Sequence, residues 1–266
     1  MRFRILFGAA ALVASLGTAA TGLVATASAA HATALTCTGG DFAMGQFTTI
    51  QSGTYSSITV KGACNIEPNA VINVTGNIRV AAGAVLDAQS APAVITVGHN
   101  VTAGPGSILG MGCQPSNTIG MFAGVPCAAD PTGQTVITVR GNVTAGNANT
   151  VLLRKLTVGG NISLAGGGGD IPWSIKGNTV GGNITISSVS ADWLGVQFNT
   201  VSRNVVLHNI TVLDPGDPGR TVAVVENTVA NNLICSGLAP GVSGGFIPGE
   251  VNHVGHQALG QCAALV

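Results

Sequence analysis

The chain has 266 residues, with 10 Lys plus Arg against 10 Asp plus Glu, and charged residues make up only 8% of it. That balance argues against a basic groove for nucleic acid and against a Lys/Arg run for anionic lipid. Glu and Lys occur three times each, too few to furnish the wet faces of a helical bundle. Val, Ile, Thr, Asn and Gly dominate instead, and these read as strands and turns.

The N-terminus reads as an export signal. Arg2 and Arg4 precede an apolar core from Ile5 to Gly17, and an Ala/Thr/Ser-rich run follows. Ala27-Ser28-Ala29 has the small-x-small form of a cleavage site, with Ala32-Thr33-Ala34 as a second candidate. Residues 1–34 are therefore expected to be a secretory signal peptide cleaved near 29–34. The apolar stretch is shorter than the roughly 20 residues a bilayer span needs. Ala34-Leu35-Thr36 before Cys37 makes a poor lipoprotein box. The mature protein is expected to be secreted, extracellular and without a membrane span. Losing Arg2 and Arg4 leaves 8 basic side chains (10 minus 2) against 10 acidic ones.

From residue 35 to 235 a short motif recurs: apolar, two residues that are often Gly, Asn, then apolar-any-apolar. Val158-Gly-Gly-Asn161-Ile162-Ser-Leu164 and Val180-Gly-Gly-Asn183-Ile184-Thr-Ile186 are the clearest copies. The Asn positions are 77, 100, 142, 161, 183, 204 and 232, with steps of 23, 42, 19, 22, 21 and 28. A period of about 21 residues is a solenoid signal. The step of 42 is two periods, or one period with an insertion near residues 105–133. Within the repeats, apolar residues alternate with others, which is the period of a strand. Trp173, Leu194 and Val222 align with one another, as do Ile175, Val196 and Val224. The expected fold is all-β: a single-domain parallel β-helix closed by a C-terminal capping segment at 236–266. A β-sandwich would have no reason to repeat one tetrad seven times. Repeats of 19 to 28 residues without hexads favour the right-handed form.

Stacked coils place like residues above like. Asn77, Asn100, Asn142, Asn161, Asn183, Asn204 and Asn232 are then expected to form a ladder of corner hydrogen bonds. Asn100, Asn142, Asn161 and Asn183 also fit the glycosylation sequon, but Thr or Ser two places later is what the following strand would supply anyway. Cys37, Cys64, Cys113, Cys127, Cys235 and Cys262 all follow the leader. An even count in an exported chain reads as disulfides, and six cysteines allow 15 connectivities. Their spacing suggests the sequential pairs 37–64, 113–127 and 235–262. No C-x-x-C is present, so neither a metal nor a cofactor is expected.

The V-x-G-N-V coils, the early Cys37/Cys64 pair and the ending Gly260-Gln261-Cys262 resemble secreted, functionally uncharacterised β-helix proteins of actinobacteria. The resemblance covers most of the mature chain and implies fold and export, not an activity. Bactofilins share G-N-V coils, but they are cytoskeletal proteins of the cell interior. A leader and six cysteines depart from that pattern.

Candidate chemistry lies off the repeat. Asp170, Asp192 and Asp214 are 22 residues apart, close to one coil each, with Lys155, Lys176 and Arg203 in reach and Trp193 able to stack on sugar. Paired carboxylates with a nearby cation are what a polysaccharide lyase or hydrolase needs. Counted from the repeat, however, Asp170 and Asp192 differ by one place, which would put them on opposite faces. Thr150, Thr179, Thr200 and Thr228 could share one row. Gly241-Val-Ser243-Gly-Gly245 fits G-x-S-x-G but sits in a Gly/Pro-rich tail. The expectation is a non-enzymatic structural or surface-interaction module. Its partners would be cell-wall or extracellular polysaccharide or a surface protein, not nucleic acid. A polysaccharide-active enzyme or carbohydrate-binding module using Asp170, Asp192, Lys176 and Trp193 is the alternative.

Overall fold

The computed structural model describes residues 32–115, 125–214, 221–244 and 251–266. Most of the expected signal peptide lies outside them, as do part of the Cys113–Cys127 insertion and the Pro-Gly-Asp-Pro-Gly run after Asp214.

Ala32–Val266 forms one compact unit, a parallel β-solenoid with three faces. The first face is a sheet of nine strands among the described residues, one per coil, from Thr48–Ile50 to Val242–Ser243. The second face runs from Ala70–Val74 to His253–Val254. The third begins with Thr33–Cys37, continues through Ile78–Val80, Val143–Gly146 and Ile184–Ser187, and ends at Ala258–Gly260. Strand Gly53–Val60 bends from the second face to the third, pairing with Ala70–Val74 and then Ile78–Val80. Alternation explains the strands: in Ala70–Val74, Ala70, Ile72 and Val74 point into the core and Val71 and Asn73 point out. No coil could bury its inward row alone, so the coils stack.

The registers resolve the step of 42. Leu109 pairs with Val151, and Asn142 donates its main-chain N–H to Asn100 Oδ1 at 2.8 Å. Coils 100 and 142 are therefore adjacent, and the intervening chain is an insertion. It leaves the coil after Ile108–Met111 and rejoins at Thr135–Val139, later than the composition suggested. Coil stacking also continues beyond residue 235, because Ala258–Gly260 pairs with Leu233–Cys235.

Two Asn ladders line the corners. In the outer one, each of Asn100, Asn142, Asn161, Asn183, Asn204 and Asn232 donates its N–H and Nδ2 to the Oδ1 of the Asn one coil earlier, starting at Asn77. The second ladder is fully buried and runs the opposite way. Asn178, Asn199 and Asn227 each donate N–H and Nδ2 to the Oδ1 of the next coil's Asn, ending at Asn252. A second Nδ2 bond takes each back to a first-face carbonyl, as from Asn199 to Ile175 at 2.9 Å.

The inner ladder occupies a core column. Ile72, Ile95, Ile137 and Leu156 hold this column in the earlier coils, and Asn178, Asn199, Asn227 and Asn252 hold it later. The change follows from corner geometry. From Lys155 onward the preceding residue is left-handed: Lys155 at φ 55°, Gly177 at 67°, Phe198 at 56° and Glu226 at 46°. That tight corner turns main-chain groups inward, where only an amide can satisfy them. Leu156 is the junction, and its N–H donates to Asn178 Oδ1 at 2.9 Å. The tight corner also shortens the second-face strands from five residues in Ala93–Val97 to two in Thr179–Val180.

Three disulfides join Cys37–Cys64, Cys113–Cys127 and Cys235–Cys262. The first and last sit at the two ends of the solenoid, and the middle one closes the insertion. At the C-terminal end the Leu265 carbonyl accepts from Asn252 N–H and Nδ2, both at 3.0 Å, so the chain end folds under the last coil. Three disulfides mark an oxidising environment. No helix among the described residues is long and apolar enough to cross a membrane.

Candidate functional site

Asp192 donates its main-chain N–H to the Gly169 carbonyl at 2.9 Å, which sets it beside Asp170 on the preceding coil. The one-place difference counted from the repeat is absorbed before the first face, where Ile171-Pro172 replaces the single Trp193 before the paired residues Trp173 and Leu194. Asp214 lands one place further along, through its N–H on the Asp192 carbonyl at 3.0 Å. The four glycines before Asp170 serve this corner. Gly167 and Gly168 are left-handed, at φ 82° and 118°, and a Cβ on either would collide with the neighbouring coil's main chain.

Trp193 lies flat on the outside of the first face. Its ring covers Gly195, where a Cβ would collide with it, and it stays partly exposed. Trp173 points the other way, fully buried, with Nε1 donating to the Asn149 carbonyl at 2.8 Å. Lys176 stands at the far end of the same face, paired with Gln197. Four residue steps along the strand separate Trp193 from Gln197, a distance of about 13 Å at 3.3 Å per residue. Asp170, Asp192 and Trp193 thus form one group and Lys176 belongs to another.

That second group was not visible as a run of charge. Arg154 and Lys176 end neighbouring first-face strands and pair directly. Lys155 follows Arg154 at the corner, its N–H on the Lys176 carbonyl at 2.9 Å. Three cations therefore meet at the edge between the first and second faces. Burial lowers the Arg154 pKa to about 10. Burial also lowers that of Lys176, and the charge of Arg154 adds to the effect. Arg154 Nη1 donates to Gln89 Oε1 at 2.9 Å, and its Nε is buried with no partner among the described residues. Lys176 Nζ lies 5.8 Å from the centre of the Phe198 ring, within range of a cation–π contact.

On the second-face side of this corner is a shallow groove of about 290 Å³, lined by Gln134, Val136, Lys155, Thr157, Gly177 and Thr179. Gly177 creates it. One column holds Val136, Lys155, Gly177 and Phe198 on successive coils, and the position next to Lys155 therefore carries no side chain.

The outward row beside it is an unbroken threonine column: Thr96, Thr138, Thr157, Thr179, Thr200 and Thr228. Thr150 does not belong to it. That residue is buried on the first face opposite Ile108. Its neighbour Val151 is also buried, so the period-two count used for the row does not hold there. Ser243 of the G-x-S-x-G match lies in a two-residue strand and accepts a 2.8 Å hydrogen bond from Thr221 Oγ1. His208 Nδ1 lies 2.8 Å from Ser236 Oγ on the exposed third face. That pair went unnoticed in the sequence, because 28 residues separate its members. No group of three or more His, Cys, Asp or Glu able to hold a metal occurs among the described residues. No protein-family model, curated protein or solved structure matches the chain.

Proposed function

We propose that the protein is exported and acts outside the membrane as a non-enzymatic structural or surface-interaction module. The observation that carries this reading is the second face, where one threonine row crosses six successive coils. Such a surface offers the same contact again and again at the coil spacing of about 4.8 Å. It suits a repetitive partner: a cell-wall or extracellular polysaccharide, or a regular surface protein. The leader-like N-terminus and the three disulfides support export. Together with the G-N-V coils they favour kinship with the secreted actinobacterial β-helix proteins that the chain resembles.

A second reading has its own support. Asp170 and Asp192 stack on adjacent coils beside the flat ring of Trp193, a combination that suits a polysaccharide lyase, hydrolase or binding module. One experiment separates the two readings. The purified protein is incubated with a panel of cell-wall and plant polysaccharides, and reducing and unsaturated ends are measured alongside co-sedimentation. Co-sedimentation without new ends supports the first reading. New ends that vanish in Asp192→Ala establish the second. Export is checked by N-terminal sequencing of protein recovered from the medium, with a start between residues 30 and 35 expected.

A further inference from the structure

We propose that the corner carrying Arg154, Lys155 and Lys176 is the binding site for an acidic polysaccharide, one bearing carboxylates on its sugar rings. The proposal rests on the reading of the protein as a surface-interaction module and supplies its partner class.

The first argument is charge. The whole chain has ten Lys and Arg side chains, and three of them converge on two adjacent coils at one edge. Like charges so close repel, and burying a cation costs free energy unless it is paired. Arg154 carries that cost visibly, since its one side-chain hydrogen bond among the described residues goes to the neutral amide of Gln89. An anion held at this edge would offset the repulsion among the cations, and the groove meets that edge through Lys155.

The second argument is shape and chemistry. The groove beside Lys155 is about 290 Å³, near the lower end of ligand-site volumes of roughly 300–1,000 Å³. Its lining combines one exposed ammonium (Lys155), two hydroxyls (Thr157, Thr179), an amide (Gln134) and an apolar wall (Val136). A simple inorganic anion would use the ammonium and the hydrogen-bond donors but leave the apolar wall unused. A uronate ring would use every group: carboxylate on Lys155, ring hydroxyls on the threonines and amide, and its C–H face on Val136. The groove is open along the solenoid axis, where the threonine row continues past it through Thr200 and Thr228. An extended chain can therefore leave the groove without leaving hydrogen-bonding surface.

The test uses the purified protein in affinity electrophoresis and titration calorimetry with three probes: sodium polygalacturonate, neutral dextran and inorganic polyphosphate. Retention by polygalacturonate, weakening with salt, and none by dextran are expected. Lys155→Asn keeps a residue that tolerates the left-handed backbone and should weaken polygalacturonate binding at least about tenfold, with the thermal transition unchanged. Thr157→Val keeps the strand and should weaken polygalacturonate binding severalfold. The proposal is overturned if polygalacturonate is not retained at low salt, if Lys155→Asn binds it like the parent, or if polyphosphate is held equally or more tightly. Failure of binding would leave the exported-module reading standing. Binding with cleavage would overturn the non-enzymatic reading and leave this site in place.

Discussion

Truncating Asn199 to alanine should be among the most damaging single changes outside the aliphatic core. The side chain makes four hydrogen bonds. Oδ1 accepts from Asn178 N–H at 3.0 Å and Asn178 Nδ2 at 2.9 Å, and Nδ2 donates to the Ile175 carbonyl and Asn227 Oδ1, both at 2.9 Å. Asn199 is 1% exposed, so water cannot replace them. Asn178 N–H would be left buried without a partner, which costs about 1–3 kcal/mol, and the other three bonds contribute about 0.5–1.5 kcal/mol each. A loss of about 5 kcal/mol follows from those figures. Asn204 is the matched control. Its side chain makes three comparable bonds in the outer ladder, but it is half-exposed and water can take them over. Asn204→Ala should therefore cost about 1 kcal/mol. Guanidinium unfolding followed by far-ultraviolet circular dichroism gives both values. Equal losses for the two variants, or less than about 1 kcal/mol for Asn199→Ala, would refute the claim that burial of the ladder sets its worth.

Three further outcomes are expected. Glu226 holds a left-handed backbone at φ 46° in the column where Gly177 stands two coils earlier, so Glu226→Gly should stabilise by about 0.5–1 kcal/mol, read as a rise in Tm. Gly195→Ala should destabilise by about 1–3 kcal/mol, because its Cβ meets the Trp193 ring. The loss should shrink in a Trp193→Ala background, and additive losses in that double-mutant cycle would rule out the ring contact. Replacing Cys235 and Cys262 with serine opens a loop of sequence separation 27, worth about 3.5 kcal/mol by chain entropy. Hydrogen exchange should then accelerate first in Ala258–Gly260 and Leu233–Ala239, since an end coil has only one neighbour. Uniform acceleration along the solenoid would contradict an end-securing role.

Much of the scaffold is legible in the sequence because a solenoid repeats its constraints. One Asn-centred tetrad per coil marks the outer corners, and alternation around Ile175, Val196 and Val224 marks the strands. The inner ladder is half legible. Asn178, Asn199 and Asn227 stand out through their Asn-Thr-Val context, but Asn252, in Asn-His-Val, does not. Nothing in the local sequence says that this column is aliphatic before Leu156 and amide after it. That switch comes one coil after the corner turns left-handed at Lys155, where Leu156 N–H already donates to Asn178 Oδ1, and Lys155, Phe198 and Glu226 are not residues that advertise such a backbone.

The candidate site was hidden for a related reason. A charge patch on a solenoid is read across coils, not along the chain. Arg154-Lys155 is an unremarkable dipeptide and Lys176 lies 21 residues beyond Lys155, one short of the coil that pairs Arg154 with Lys176. Counted from the outer Asn, Lys155 stands 6 places before Asn161 and Lys176 stands 7 before Asn183, a one-place offset like that between Asp170 and Asp192. For the aspartates a two-for-one insertion removes the offset, whereas for the lysines it stands: Lys176 pairs with Arg154 while Lys155 faces Gly177. The consequence is chemical. With Lys176 directly beneath Lys155 the groove would be filled by a second long side chain. With glycine there, Lys155 keeps an open groove beside it, one residue from the pair formed by Arg154 and Lys176.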